Sequence, residues 1–259
     1  MTVTYDSDKL VEDQPIPEDE ISIAQGQVTV YEYGRAVPFT SKLKSLSEIE
    51  VSKQLENALR NRLAKVMDAI HAYAFKQSDL IYIPTGAATG TWDTDGVAST
   101  QATSNMNAFH FREIIDYMRD DLMIPPFFPE SEEYVSVMTG KALRGIYDDP
   151  DFQAIDRYAE PKQLLRGEVG RYYHTRIVWT NHAGALAKAK GASGVLGECI
   201  FAGEDPVMHI VAEAPEIRMK TASDYGRSLG LAWYGLFGSG PTWEFVSDGE
   251  ARAVWVTSS

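Results

Sequence analysis

An α+β fold is predicted by the way hydrophobic periodicity changes along the chain. A long amphipathic run of helical period follows one strand-like segment, a shorter helical run lies in the middle, and period-two segments dominate from Gly167 onward. Helices and strands do not alternate regularly, which separates this pattern from a doubly wound parallel sheet. Size agrees: 259 residues, 44% of them hydrophobic, are enough to bury a full core as one large domain or two small ones.

Each element has its own cause. Residues 1–26 read as a loop, because EDQPIPEDE holds two prolines and five acids in nine positions. Gln27–Tyr33 (QVTVYEY) is β-branched and aromatic and reads as a strand closed by Gly34. Ser47 and Glu50 have capping-box spacing ahead of a stretch without Gly or Pro. Leu55, Leu59, Leu63, Val66, Ile70 and Tyr73 then recur every three or four residues, predicting a helix over Ser47–Gln77. Such a helix would be about 46 Å long at ~1.5 Å per residue. A globule of this chain length has a diameter just under ~50 Å, so one helix would cross the whole molecule. A flat or elongated body suits it better than a sphere.

Pro84–Asn105, rich in Gly and Thr, reads as a surface loop with room for a short hairpin. Phe109–Leu122 is a second amphipathic helix, with Phe111, Ile114, Ile115, Met118 and Leu122 on one side and Pro125-Pro126 as its stop. Glu133–Met138 is a buried-strand candidate, followed by a short helix over Thr139–Tyr147. From Asp148 a further helical stretch is expected towards Leu165. Tyr172–Thr180, Val207–Ala214, Glu216–Lys220, Leu229–Phe237 and Ala251–Ser258 read as strands. No internal repeat is apparent.

Composition excludes several functions. With 24 Lys+Arg against 37 Asp+Glu, the net charge of −13 opposes sequence-independent nucleic-acid binding and docking on an anionic membrane. Two uses of that charge stay open: plain solubility, or a surface beside nucleic acid that must not stick to it. A lone cysteine, Cys199, rules out an intrachain disulfide framework and a Cys-based zinc finger. The N-terminus is polar and acidic with no visible targeting segment, and the most apolar window, Leu229–Phe237, is too short for a bilayer. A soluble protein of a reducing compartment is expected.

The search for chemistry returns little. His71, His110, His174, His182 and His209 form no metal-binding spacing, although His174 and His182 flank one strand. Ser193 and Ser239 sit in glycine-rich turn sequences rather than a nucleophile elbow. Thr139–Lys141 lacks the upstream glycine of a phosphate loop, and Asp93–Gly96 lacks the downstream Glu of a calcium loop. Asp148, Asp149 and Asp151 would suit acid/base work with His174, but acids before a helix are equally explained by capping. Cys199 lies in an apolar strand setting, where an inert buried thiol is expected. No catalytic, cofactor-binding or metal residue is assigned, and no cofactor is expected.

Three segments, in order, carry a resemblance. They are Gln27–Glu50, a strand, glycine turn and helix start; Glu160–Asn181, a short helix ending in Leu164-x-x-Gly167-Glu168-x-Gly170 and then a strand with Tyr, Arg and a terminal Thr-Asn; and Glu216–Gly238 with Ala251–Val256, the late glycine, tryptophan and aromatic strands. Together they resemble the major capsid proteins of tailed phages in the phage N-four family (gene product 56 type), which adopt the Hong Kong 97 capsid fold. The chain departs from that pattern in its short stretch before Gln27 and in Thr139-Gly140 where relatives carry His-Pro. In the second segment Gly167 and Gly170 would allow a sharp helix-to-strand turn, and Arg171 and Arg176 are placed to meet acidic neighbours.

The resemblance implies a Hong Kong 97-type capsid fold: residues 1–26 as N-terminal arm or extended loop, 27–78 and 207–240 as a peripheral domain with the long spine helix, 79–206 and 241–259 as an axial domain. It implies a virion protein, assembled in the host cytoplasm into pentamers and hexamers of an icosahedral shell around double-stranded DNA, with scaffold, portal and decoration proteins as further partners and no membrane. A nanocompartment shell of the same fold is the alternative, and an acid/base hydrolase using Asp148, Asp149 or Asp151 with His174 the remote one.

Overall fold

The long apolar stripe and the aromatic strands meet each other in the computed structural model, which describes residues 27–48, 50–149, 168–242 and 251–259. The stripe lies on α2, Val51–Phe75, preceded by β1, Tyr31–Thr40, and a six-residue helix α1, Ser41–Leu46. Leu59 is 2% exposed, and Leu55, Leu63, Val66, Met67 and Ile70 pack beside it against Phe39, Leu231, Trp233 and Phe237. The last three come from β9, Ser228–Pro241, which lies between β1 and β8, Val207–Met219, in an antiparallel three-stranded sheet.

Three expectations change here. The helix has 25 residues, about 37 Å, and starts at Val51. Ser47 terminates α1 instead, its amide bonded to the Leu43 carbonyl at 3.1 Å, so it does not serve as a cap for α2. The first strand runs through Gly34 rather than stopping there. Tyr33, Val37 and Phe39 keep period two across the glycine, and a Cβ on Gly34 would stand 3.0 Å from the Trp233 carbonyl. Finally, the two segments around Pro215 are one strand, β8, whose register shifts between Val211 and Glu216 absorb the proline. Pro is tolerated there because β8 is an edge strand.

The remaining elements build a seven-stranded mixed sheet. Its strands are β2 (Ile81–Gly86), β3 (Thr89–Asp93), β4 (Tyr134–Thr139), β5 (Glu168–Tyr172), β6 (Thr175–Thr180), β7 (Cys199–Ala202) and β10 (Ala253–Val256), ordered β3-β2-β10-β7-β4-β6-β5. β10 pairs parallel with β2, and β4 parallel with β6; the other neighbours are antiparallel. The β2–β3 hairpin falls where the Gly/Thr-rich stretch left room for one. α3, Ala108–Asp116, continues into a π-helical turn at Tyr117–Asp121 and buries Phe111, Ile114, Ile115 and Met118 completely. α4, Gly140–Tyr147, follows β4 with Thr139 as its first, uncapped neighbour.

The expected strand at Tyr172–Thr180 is a hairpin. Tyr173 and His174 have φ of +41° and +56°, which turns β5 directly into β6. Two successive left-handed residues are the tight-turn geometry that matches strand twist, and no glycine marked it in advance. Gly170 sits inside β5 beside a register shift rather than at a helix-to-strand turn. Of the helical stretch expected from Asp148 towards Leu165, Asp148 and Asp149 end α4, while residues 150–165, Gly167 and the segment 1–26 lie outside the described residues. Among the described residues, no helix is long and apolar enough to cross a membrane.

Candidate functional site

The described members of the acid/base set each have a local structural setting. The Asp149 carboxylate accepts a hydrogen bond from the Tyr172 hydroxyl at 3.0 Å and lies 3.7 Å from the Arg112 guanidinium, so it ties α4, α3 and β5 together. Asp148 closes the end of α4, and Asp151 lies outside the described residues. His174 is in the β5–β6 turn, where its carbonyl accepts from the Tyr134 amide at 2.8 Å. Among the described residues no three His, Cys, Asp or Glu side chains converge as a metal site.

The other motifs resolve into local structure. Asp93 accepts from the Ser99 amide and hydroxyl, both at 2.8 Å, and Gly96 has φ +73°, so Asp93–Gly96 is a turn. Ser193 also lies in a turn, at φ +53°. Ser239, expected in a turn, is instead in β9 opposite His209, whose Nδ1 it meets at 2.9 Å. The β pairing with a neighbouring strand overrides the turn preference of its flanking glycines. Cys199 is fully buried, and burial, then the adjacent Glu198 charge, push its thiol pKa well up. A thiol held protonated is a poor nucleophile.

Arg171 and Arg176 do meet an acid, and it is Glu133. Arg176 Nε donates at 2.6 Å and Arg171 approaches at 3.0 Å, while Ser131 donates at 2.9 Å. Burial pushes the Glu133 pKa up, but the bonds from Arg176 and Ser131 and both guanidinium charges outweigh it, so the net shift is down. The Arg176 guanidinium also stacks 4.1 Å from the Phe128 ring centre. This cluster clamps the β4–β6–β5 edge of the large sheet.

Three polar links escaped the sequence. Glu198, 1% exposed, accepts from Lys76 Nζ at 2.9 Å, the Ala187 amide at 2.6 Å and Thr257 Oγ1 at 2.9 Å. Lys76 is the residue that closes α2, so this buried ion pair joins the long helix to the seven-stranded sheet. A lone acid inside the apolar run GVLGECIF was its signal. Tyr82 donates to Glu113 and lies 2.8 Å from His110 Nδ1; burial and then Glu113 raise the phenol pKa strongly, while burial lowers that of His110. His71 Nε2 meets His209 Nδ1 at 3.2 Å, linking α2 to β8. All three are ties between elements rather than reactive centres.

What remains is shape and surface. β8 and β9 form a hairpin of 13- and 14-residue strands, about 45 Å long. Its tip carries Asp224, Tyr225 and Gly226 at positive φ, with Tyr225 fully exposed. Large apolar side chains also stand in solvent at Tyr31, Leu46, Tyr73, Met123 and Trp179. Apolar side chains exposed singly are ordinary on a protein surface and assign no function by themselves.

Comparison with solved structures gives the fold. The Cyanophage Pam1 capsid asymmetric unit superposes with a TM-score of 0.64 at 14% identity, over 96% of this chain and 82% of that one. The capsid of Ralstonia phage GP4 gives 0.62 at 14% identity, over 88% and 73%. The head structure of Helicobacter pylori bacteriophage KHP40 gives 0.60 at 10% identity, over 88% and 75%. The chain has the Hong Kong 97 capsid fold. No protein-family model matches the sequence, and no curated protein does.

Proposed function

We propose that the chain is the major capsid protein of a tailed bacteriophage, which self-assembles into an icosahedral shell of pentamers and hexamers enclosing double-stranded DNA. The observation that carries this is the capsid fold, shared over 96% of the chain with a phage capsid subunit. The role is structural rather than catalytic, in keeping with polar clusters that all serve as ties. Each subunit contributes several modest interfaces, and closure makes losing one subunit require breaking many contacts at once. The net charge of −13 then has a use, because a wall beside packaged DNA must not trap it.

Within this reading, 27–78 and 207–240 form the peripheral domain and 79–206 and 241–259 the axial domain, with 1–26 as the arm. Support comes from the apolar clusters, one of Phe39, Leu59, Leu231, Trp233 and Phe237, the other running from Leu80 to Val256. Kinship with the phage N-four family rests on Gln27–Glu50 and Glu160–Asn181, the latter supplying both arginines that hold Glu133. Scaffold, portal and decoration proteins are the expected partners, and the virion the final location after assembly in the host cytoplasm.

Light scattering with negative-stain microscopy of the purified protein, with and without co-expressed scaffold, tests the proposal. Closed shells of tens of nanometres that package DNA in an infected host are expected. Shells filled with a cargo enzyme would overturn the DNA part. A persistent monomer holding a small ligand in a deep pocket would overturn the whole.

A further inference from the structure

The apolar seam between α2 and its sheet ends on the helix at Ile70, and a polar pair takes over at the next residue. His71 Nε2 on α2 stands 3.2 Å from His209 Nδ1 on β8, 138 residues away in sequence. Ser239 Oγ on β9 lies 2.9 Å from the same His209 nitrogen. One imidazole nitrogen carries either a single proton or a single lone pair, so it cannot make a straight hydrogen bond to both neighbours. The two ring centres are 4.7 Å apart and their planes cross at 72°. The nitrogens therefore meet at an angle rather than head-on, as two ligands of one ion do and as a straight N–H···N bond does not. The Phe237 ring, 6.1 Å from that of His209, closes one side. His71 is half-buried and His209 exposed, so the other side is open to water.

We propose that His71 and His209 hold one divalent transition-metal ion of the zinc class, with Ser239 and water completing its shell. At about 2.0–2.1 Å per Zn–N bond, two tetrahedral ligands stand about 3.3–3.4 Å apart, which a small rotation of the exposed His209 ring supplies from 3.2 Å. Imidazole suits zinc, copper and nickel, whereas magnesium and calcium take oxygen ligands. Both ligating nitrogens must be unprotonated, so each ring keeps its proton on the outer nitrogen, His71 Nδ1 and His209 Nε2. Asp68, one turn earlier on α2, adds a negative charge that acts on His71 and favours a cation beside it. Two protein nitrogens leave the remaining positions to water, so the ion is exchangeable and its work is mechanical. It clips the long helix to the edge strand β8 just beyond the end of the apolar seam. The proposal concerns one subunit and stands whether or not the shell proposal does.

Isothermal titration of the untagged full chain with zinc chloride tests it. One ion per chain is expected at the tightest site, with affinity falling at least about tenfold in His71→Gln and in His209→Asn. These amides set a polar atom near the place of each ring nitrogen, so a mere hydrogen-bonded tie survives in them while ligation is lost. A ligand that binds only the folded state also raises the urea midpoint. Zn²⁺ should raise it in the parent chain and in neither variant, and Mg²⁺ in none of the three. His209 is exposed and replaceable without loss of the fold, so it carries the comparison if the half-buried His71 does not tolerate exchange. Absence of binding, equal affinity in parent and variants, one ion shared between two chains, or an equal rise with Mg²⁺ would each overturn the proposal.

Discussion

Replacing Lys76 by Met is expected to cost the subunit about 3 kcal/mol, the low end of the range for removing one partner of a buried ion pair. The Glu198 side chain is 1% exposed and accepts from three donors among the described residues, of which Lys76 Nζ alone is charged. Met preserves the aliphatic packing of the lysine stem over the sheet but leaves a carboxylate compensated by one amide and one hydroxyl. The low end applies because those two donors stay and because Lys76 is itself 22% exposed, which admits water. For 259 residues the unfolding entropy is about 0.5 kcal/mol/K, so 3 kcal/mol lowers Tm by about 6 °C. Urea unfolding of the dispersed subunit, checked by calorimetry, measures both figures. Lys76→Met with Glu198→Gln should recover at least half of the loss, since the stranded charge is then gone. A single-mutant loss under about 0.5 kcal/mol, or strictly additive mutants, would refute the claim that this pair fixes the root of the long helix.

Three further outcomes follow from the same structure. Leu59→Asp places a charge among the apolar side chains between α2 and its sheet, and should abolish soluble folded subunit; an unchanged urea midpoint would mean that face is not buried. Gly145→Ala should destabilise by about 1–3 kcal/mol, because the new Cβ would lie 1.7 Å from the Met106 carbonyl oxygen, and a neutral result would show that α4 shifts freely. Acid should loosen the contact between α2 and β8. Burial and then His209 lower the folded pKa of His71, against an opposing pull from Asp68, so the unfolded chain binds the proton more readily. The stabilisation is complete above the ordinary histidine pKa near ~6.5 and is lost as pH falls below it. Denaturation midpoints between about pH 7.5 and 5.5 should flatten in His71→Gln; an unchanged slope would remove His71 from the account.

The Glu133 cluster illustrates how far local sequence reaches. Arg171 and Arg176 are legible as cations placed to meet acidic neighbours. Which acid they meet depends on β4 lying parallel to β6, a pairing of residues 41 apart from Tyr134↔Thr175 onward. Glu198 is the reverse case: its burial is suggested by its apolar neighbours, while its cation comes from 122 residues away.

The sequence by itself determined the α+β class, the apolar stripe of α2, the buried side of α3 and the extended character of much of the second half. These follow from periodicity, which is a property of neighbouring residues and survives any tertiary arrangement. The tertiary structure alone decided where elements begin and join. β1 crosses Gly34 because β9 pairs with it on both sides, α2 starts late because α1 takes Ser47, and Tyr173-His174 turns because β5 and β6 must pair. In each case a hydrogen-bonding partner outside the local motif outweighed a local preference worth about a kcal/mol or less.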